Sequence, residues 1–290
     1  MTYHIKDYPI DKSYHKTFHH VVQFLNSLNE KHEFLHFHWS RWEWMFARDN
    51  IKKEDLAFIK LFVDDQDQIR GLLTFEDEPG VWFLIYHQDF ELKKHMVEYL
   101  ILNHPNDDVI VSKDPEMIEL LTQSNYEKLD WIDPIAKFNL TSFQIPETTG
   151  YEFKSLEEDY RLEEIHYALW KGFGHGDNIS YDAKTLMDRK HMTSSPNFKK
   201  SYTYVAHKDH HYVSYAGIWY LKGTQTALIE PVATIPEERR KGLSKACIYH
   251  AIQEVVKDGA KDIFVGSTQK FYYDIGFIPY DEAYRFHKKI

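Results

Sequence analysis

The sequence predicts a mixed α/β protein built from two copies of one fold, and three observations support this prediction. Strand-sized apolar segments alternate with segments of helical pattern along the chain. The same order of helices and strands occurs twice. A polar stretch at 141–150 contains Pro146 and Gly150 and separates the two patterned halves. We therefore expect two domains, 1–145 and 146–290, each with a mixed sheet.

The composition is that of a globular protein with a substantial core. Hydrophobic residues make up 43% of the 290 residues and charged residues 28%, which is ordinary for a folded domain. The single cysteine, Cys247, excludes an internal disulfide framework and fits a reducing compartment. A formal net charge of -10 argues against general binding of nucleic acid or anionic membranes. With no signal-peptide core and no membrane-length apolar run, we expect a cytoplasmic monomer or homodimer.

The second half has the clearer pattern. Ser155 and Glu158 form a capping-box signal for a helix over 156–172. Pro231 lies within a strand and predicts a bulge or a sheet edge, because proline cannot donate to the ladder. Gly259 is expected to end a long amphipathic helix. The predicted order is strand 151–156, helix 156–172, helix 181–192, strands around the turn 208–211, strand 225–234, helix 240–259, strand 262–267, helix 268–276 and strands in 277–290.

The first half repeats this order with weaker signals. Asp114 and Pro115 open one of its helices as cap and first residue. The predicted order is helices near 12–29 and 38–48, strands 57–63, 69–77 and 81–86, helix 92–103, strand 108–112, the helix after Asp114, and a strand-like tail at 126–140.

A cluster of cations precedes the long helix of the second half. Arg239, Arg240 and Lys241 stand directly before Gly242, and Ser244 follows. A helix start exposes unpaired N–H groups and the positive end of the macrodipole, and glycine allows close approach of the backbone. This combination predicts a phosphate-binding loop. The alternative is a solvated basic turn in which the cations pair with the neighbouring Glu237 and Glu238.

These residues resemble a known family. The run Arg239 to Ser244 is similar to the Q/R-x-x-G-x-G/A pyrophosphate loop of the GNAT acyltransferase superfamily, with serine at the last small position. Tyr272, Gly276 and Phe277 resemble its later Y-x-x-x-G-F element. The resemblance covers roughly 150–290, whereas the first half resembles the family only in element order. It implies a tandem protein whose two domains have splayed central strands.

The resemblance implies a site for acetyl-coenzyme A, the co-substrate, with no metal. In this family the pantetheine arm bonds to the backbone of the first splayed strand, and the loop amides hold the pyrophosphate. Arg239, Arg240 or Lys245 is then expected to meet the 3′-phosphate. The implied coenzyme-binding residues are Val232, Ala233, Thr234, Arg239, Arg240, Lys241, Gly242, Leu243, Ser244, Lys245 and Ser267.

Two residues are candidates for proton transfer. Glu230 could accept the proton of the attacking amine, and a buried glutamate would have a raised pKa suited to a base; the alternatives are a surface charge on the strand, or a water chain as the base. Tyr272 could donate a proton to the departing thiolate; the alternative is a packing role beside Phe271 and Tyr273. The amide of Val232 could stabilise the oxyanion.

The expected activity is transfer of an acetyl group to the primary amine of a small molecule, by direct attack in a ternary complex. Trp170, Phe173 and His175 lie where the family shapes its acceptor pocket, although a mobile glycine loop without a specific role would look the same. Two alternatives stay open. One is acetylation of a peptide or protein amine, and the other is a non-catalytic scaffold that binds acyl-coenzyme A.

The first half is expected to be a degenerate copy. The segment Gln88 to Lys94 replaces the phosphate loop, contains no glycine and places Asp89 and Glu91 where an anion would bind. Asn125 and Tyr126 stand where Gly-Phe would be expected. We therefore expect that this half does not bind coenzyme A.

Overall fold

The chain forms two compact units in a computed structural model that describes residues 2–48, 51–141 and 143–289. The first unit comprises Met1–Ile135 and Asp281–Ile290, and the second comprises Ala136–Tyr280. The sequence predicts a domain boundary at 145/146, with each domain formed by one continuous half of the chain. The structure instead assigns the C-terminal segment to the first unit.

The first unit begins with a strand that the sequence pattern did not indicate. Its other elements lie close to their predicted positions. In chain order its elements are β1 (His4–Asp7), α1 (Lys16–Asn29), α2 (Trp39–Ala47), β2 (Lys60–Val63), β3 (Ile69–Thr74), β4 (Val81–Tyr86), α3 (Phe90–Asn103), β5 (Asp108–Ser112), α4 (Pro115–Gln123) and β6 (Tyr126–Phe138).

The second unit repeats the order of the first, with a short helix in place of α4. Its elements are β7 (Glu152–Ser155), α5 (Leu162–Gly172), α6 (Ala183–Ser194), β8 (Thr203–Lys208), β9 (His211–Tyr220), β10 (Thr226–Thr234), α7 (Leu243–Lys257), β11 (Asp262–Val265), α8 (Lys270–Asp274) and the start of β12 (Phe277–Lys288), whose residues from Asp281 onward belong to the first unit.

Each unit contains one parallel pair among antiparallel strands. In the first unit β1 to β5 are neighbours in sequence order, and the pair β4–β5 is parallel. In the second unit β7 to β11 are neighbours in the same way, and the pair β10–β11 is parallel. A parallel pair needs a crossover connection, which α3 and α7 supply. The two units therefore share one topology.

The sheet of each unit has a sixth strand next to its parallel pair. In each unit this strand is the chain segment that follows the parallel pair of the other unit. Residues Ala283 to Phe286 of β12 pair antiparallel with β5, in register with Val109 to Ser112. The last residues of β6 pair antiparallel with β11, where Ala136 lies opposite Val265. The C-terminal strand thus completes the sheet of the first unit.

Local sequence signals account for most element boundaries. The turn between β8 and β9 consists of Asp209 and His210, both with positive φ, as a two-residue hairpin connection requires. The capping box predicted at Ser155 forms, because the Glu158 amide donates to the Ser155 hydroxyl at 3.3 Å and the Ser155 amide donates to the Glu158 carboxylate at 2.8 Å. It closes a turn rather than opening the helix, which begins at Leu162, so the predicted start at 156 is wrong.

The core of the second unit forms where α7 packs on the sheet. Leu243, Cys247, Ile248, Ile252 and Val255 lie on one face of this helix and are buried. The 3.6-residue period that predicted the helix also selects this face. None of the helices in the described ranges has the length and apolar character needed to cross a membrane.

We predict that Phe286→Ala destabilises the protein by about 3–5 kcal/mol, the usual cost of removing a buried aromatic ring. Phe286 lies opposite Val109 in the first unit, and 1% of its surface is exposed. The control is Ile278→Ala on the same strand, where 55% of the side chain is exposed. Urea unfolding measures both. Equal stabilities of the two variants would contradict the role of β12 in the first unit's core.

Candidate active site

The strands β10 and β11 part before either strand ends. Their parallel pairing runs from Thr226 opposite Asp262 to Leu228 opposite Phe264. β10 then continues to Thr234, paired only with β9 on its other side. The backbone edge of β10 beyond Leu228 therefore faces a gap rather than a neighbouring strand.

A β-bulge coincides with this divergence. The register of β10 against β9 shifts between Ile229 and Val232, so that Glu230 and Pro231 stand opposite the single residue Gly217. A Cβ atom at Gly217 would lie 2.9 Å from the Glu230 carbonyl oxygen, which is too close. Glycine is therefore required for this approach. The bulge predicted from Pro231 is present.

A cavity of about 500 Å³ occupies the gap. It brings together the end of β10, the basic loop, the start of α7 and the helix α8. Its walls are formed by Gly172, Phe173, Val232, Ala233, Thr234, Glu238, Arg239, Arg240, Gly242, Leu243, Ser244, Lys245, Gln269, Phe271 and Tyr272.

The start of α7 presents backbone amides to this cavity. Gly242 is the N-cap, has φ of 80° and provides no side-chain cap. The first backbone hydrogen bond of the helix runs from the Ala246 amide to the Gly242 carbonyl. The amides of Leu243, Ser244 and Lys245 precede that bond and lie at the positive end of the helix dipole. This end of the cavity is suited to an anion.

The cations of the loop have different roles. The Arg239 guanidinium donates to the Thr234 carbonyl at 3.2 Å and to the Gly172 carbonyl at 2.8 Å, which ties the loop to β10 and α5. Lys241 forms an ion pair with Glu238 at 2.6 Å and does not line the cavity. Of the three cations before Gly242, Lys241 fits the alternative interpretation, in which a loop cation pairs with a neighbouring glutamate. Arg240 and Lys245 line the cavity.

Glu238 is the buried anchor of the loop. Its carboxylate accepts hydrogen bonds from Lys208 at 2.7 Å, from Lys241 at 2.6 Å and from the Tyr151 hydroxyl. These bonds lower the pKa of the Glu238 carboxyl from 4.5 to about 2. The carboxylate therefore stays ionised throughout the neutral range and fixes the loop beside the cavity.

A line of hydroxyl groups joins the strand to the helix. Ser214 lies 2.8 Å from the Thr234 hydroxyl, which lies 2.5 Å from the Ser244 hydroxyl. This contact fixes Ser244, the small residue at the last position of the loop motif, directly against the end of β10. The contact gives Ser244 a physical role at a position where the family motif has glycine or alanine. The sequence alone does not reveal this role, because it depends on Thr234 and Ser244 meeting in the fold.

Tyr272 lines the cavity from α8. Its ring packs edge-on against Phe277 at 5.6 Å and against Phe271 at 5.1 Å. Burial and the nearby negative charge of Glu230 raise the pKa of the Tyr272 hydroxyl to about 12. The phenol is therefore protonated at neutral pH. Glu230 itself is half-buried in the bulge and does not contribute to the cavity wall.

The predicted acceptor residues are divided between the cavity and the adjoining loop. Phe173 lines the cavity, and 49% of its surface is exposed. Trp170 instead donates from its indole to the Gly176 carbonyl at 2.9 Å and contacts the exposed His175 ring at 5.3 Å. Trp170 and His175 thus support the loop that carries Phe173.

The remaining candidate, Ser267, is not part of the cavity wall. Its hydroxyl accepts from the Gln269 amide at 3.2 Å just before α8. Gln269 and Phe271 line the cavity and were not predicted. Gly172 was also missed. A Cβ atom there would lie 2.6 Å from the Ala233 Cβ, so glycine allows α5 to approach β10 closely.

The corresponding position in the first unit is closed at the helix start. The pairing of β4 with β5 also ends early, at Phe83 opposite Ile110. The N-cap of α3, however, is Asp89, whose carboxylate accepts from the Leu92 amide at 2.9 Å. The Asp89 carboxylate thus caps the start of α3, whereas the equivalent start of α7 has no side-chain cap.

A buried ionic network fills the rest of this position. The Lys93 ammonium, with 3% of its side chain exposed, pairs with Asp114 at 2.8 Å and Glu116 at 2.7 Å. The Tyr86 hydroxyl donates to Asp114 at 3.1 Å. Removing Lys93 would leave Asp114 only partly compensated, so this network is costly to open.

The closely spaced histidines of the first unit have structural partners. His38 caps α2 by accepting from the Ser40 amide at 3.3 Å. The His36 ring stacks on Phe83 at 6.1 Å, and burial lowers its pKa to about 4. Within the described part of the chain no group of three or more potential ligands is arranged to hold a metal ion.

We predict that Glu238→Gln destabilises the protein by about 1–2 kcal/mol at pH 7, because both lysine partners are partly solvent-screened. The folded pKa of about 2 lies below 4.5, so this contribution is present above pH 4.5 and is lost as the pH falls toward 2. Urea unfolding at pH 7 and pH 3 tests this. The control is Glu237→Gln, because Glu237 is the exposed neighbour of Glu238. A difference from wild type that does not shrink at pH 3 would contradict the assignment.

Comparisons with known proteins find a family match within the second unit. The model of the Acetyltransferase (GNAT) family matches residues 162–277, which covers α5 through the first residue of β12. No curated protein matches the chain significantly.

Several solved structures share the fold of nearly the whole chain. An acetyltransferase of the GNAT family from Colwellia psychrerythraea has 12% identity and a TM-score of 0.61, over 99% of this chain and 100% of that chain. A GCN5-related N-acetyltransferase from Sphaerobacter thermophilus has 11% identity and a TM-score of 0.57, over 99% and 95%. A tandem GNAT protein from the clavulanic acid biosynthesis pathway has 11% identity and a TM-score of 0.59, over 98% of both chains. Residues 162–277 of the second unit thus match the GNAT acetyltransferase family model, and the chain as a whole shares its fold with these GNAT structures.

Proposed function

We propose that the second unit binds acetyl-coenzyme A in the gap between β10 and β11 and transfers the acetyl group to a primary amine of a small molecule. The observation that carries this proposal is the open edge of β10 leading directly to the uncapped start of α7. An extended pantetheine arm can hydrogen-bond to the open edge, as a strand would. The pyrophosphate then meets the amides of Leu243 to Lys245.

The charges of the loop fit this orientation. Lys241 is neutralised by Glu238, and Arg239 binds carbonyl oxygens of the chain. Arg240 and Lys245 face the cavity and are the candidates for the 3′-phosphate. The positive φ of 61° at Arg240 and of 80° at Gly242 turns the loop tightly around the helix start.

The reaction requires a neutral amine. In the proposed step the amine nitrogen attacks the thioester carbonyl carbon, the C–S bond breaks, and an amide and a thiol form. Glu230 accepts the amine proton, directly or through water, since it is half-buried at the bulge where the strands part. The Val232 amide supplies a hydrogen bond to the developing oxyanion.

Tyr272 supports the leaving group. A phenol with a pKa of about 12 is a weaker acid than a typical thiol, whose pKa is about 8.5. Complete proton transfer to the thiolate is therefore unfavourable in isolation. Tyr272 instead donates a hydrogen bond to the departing sulfur, and the proton released by the amine balances the reaction.

The first unit is proposed to bind no acetyl-coenzyme A. The Asp89 carboxylate at the start of α3 repels a pyrophosphate, and the Lys93 network fills the position of the pantetheine. Each complete chain is therefore expected to bind one molecule.

We predict that acetyl-coenzyme A binds the intact chain with a stoichiometry of one and raises its melting temperature. A ligand at 100 times its Kd stabilises the native state by about 2.7 kcal/mol. Gly242→Glu should abolish both effects, because it adds a negative charge and a side chain at the helix start. Gly223→Glu is the control, since Gly223 also has positive φ and open surroundings. Calorimetry that finds two molecules per chain, or full binding by Gly242→Glu, would contradict the proposal.

We predict that Tyr272→Phe lowers turnover about 10–100-fold, the effect of losing one hydrogen bond to a charged group, while acetyl-coenzyme A affinity stays within about twofold of wild type. The ring remains and only the hydroxyl is lost. Tyr273→Phe is the control, as Tyr273 is on the same helix and packs on the same core. Thiol release at saturating acceptor gives turnover. Wild-type turnover of Tyr272→Phe would assign Tyr272 to packing, and a lack of turnover by wild type with every amine would favour a binding scaffold.

A further inference from the structure

Arg189 is a half-buried cation on α6 that the proposed reaction does not use. Its guanidinium Nε is fully enclosed and has no hydrogen-bond partner. Among the described residues the guanidinium makes no ion pair, and the acid that acts on it is the adjacent Asp188, through charge at a distance. A partly desolvated guanidinium without a carboxylate is unusual, because the charge loses hydration without compensation.

Two buried hydroxyl groups on the neighbouring strands also lack partners. The Tyr215 and Thr203 side chains are fully buried, and neither hydroxyl oxygen is hydrogen-bonded. The two hydroxyls approach each other, but not in hydrogen-bonding geometry. The Arg189 charge lies close enough to Tyr215 to act on its pKa, although burial raises that pKa overall. Each unsatisfied buried group costs about 1–3 kcal/mol.

These groups lie on the face of the sheet that carries the bulge. Tyr215 stands opposite Ala233, which lines the cavity, and Thr203 stands opposite Gly217. The Thr203 hydroxyl is 3.5 Å from the position that a Gly217 Cβ would occupy, and the Glu230 carbonyl is 2.9 Å from it. The unpartnered polar groups are therefore next to the proposed site of amine attack.

We propose that the acceptor amine carries a carboxylate, which binds Arg189 and the Tyr215 and Thr203 hydroxyls while the amine reaches the bulge at Glu230. This inference rests on the proposed function and specifies its substrate class as amino acids, that is, amines that carry a free carboxylate. A carboxylate offers two oxygens in a plane and matches the fork of a guanidinium. It would also accept hydrogen bonds from both hydroxyls. Ordered water could satisfy the hydroxyls, but it could not balance the charge.

The test compares amines that differ only in the carboxylate, using the full-length protein. The pairs are L-leucine with 3-methylbutylamine, β-alanine with ethylamine, and L-phenylalanine with 2-phenylethylamine. Thiol release gives kcat/KM for each amine. The carboxylate member of at least one pair should be favoured about 10–100-fold, the effect of a charge-assisted hydrogen bond. Arg189→Gln should bring this ratio close to one, and Tyr215→Phe should lower it while preserving the shape of the core.

The matched control is Lys190→Gln, which removes an exposed cation from the same helix and should keep the wild-type ratio. Acetyl-coenzyme A affinity should be unchanged in all three variants. A wild-type ratio of one or less in every pair, or a ratio retained by Arg189→Gln, overturns the inference.

Thermal shift with the same compounds separates this inference from the proposed function. Stabilisation by the amino acids, but not by their amine partners, should be lost in Arg189→Gln even if no acetyl transfer occurs. Failure of the protein to bind acetyl-coenzyme A would count against the proposed function, whereas the absence of any carboxylate preference in both turnover and stabilisation would count against the acceptor assignment.

Discussion

The site depends on the interruption of pairing between β10 and β11. The bulge at Glu230 and Pro231 adds a residue to β10 opposite Gly217, and the parallel ladder ends at Leu228. Backbone groups that a neighbouring strand would otherwise satisfy are left facing a cavity. A buried strand edge is costly unless a ligand pairs with it. The same interruption leaves the cavity that Tyr272 lines.

The basic loop shows how an acidic protein can present a local cluster of cations beside an uncapped helix start. Glu238 is buried and holds Lys208 and Lys241, while Arg239 binds two carbonyl oxygens. These contacts fix the loop backbone, so that the helix amides and the other cations are positioned before a ligand arrives. Preorganised donors lose less entropy on binding than flexible ones. In the first unit the Asp89 carboxylate caps the equivalent helix, whose start is therefore not left without a side-chain cap as in α7.

Local order was predictable from the sequence, but pairing over long distances was not. Periodicity located most helices and strands, and Pro231 indicated the bulge. The motif around Gly242 located the cavity, although it could not show that Lys241 pairs with Glu238 or that Ser267 lies outside the wall. Arg189, Thr203 and Tyr215 come from three elements and have no common motif. The register of β8 against β9 places Thr203 near Tyr215, and the folding of α6 brings the Arg189 charge close enough to act on Tyr215.

The C-terminal strand has a consequence for how the chain folds during synthesis. β5 is complete once residue 112 has been made, but its antiparallel partner begins near residue 283. The ribosome must add about 170 further residues before this edge is paired, and at about 5–20 residues per second this takes roughly 10–30 seconds. During that time the first unit has an open strand edge, which favours association with other chains. Folding of the first unit is therefore completed only after the second unit has been synthesised.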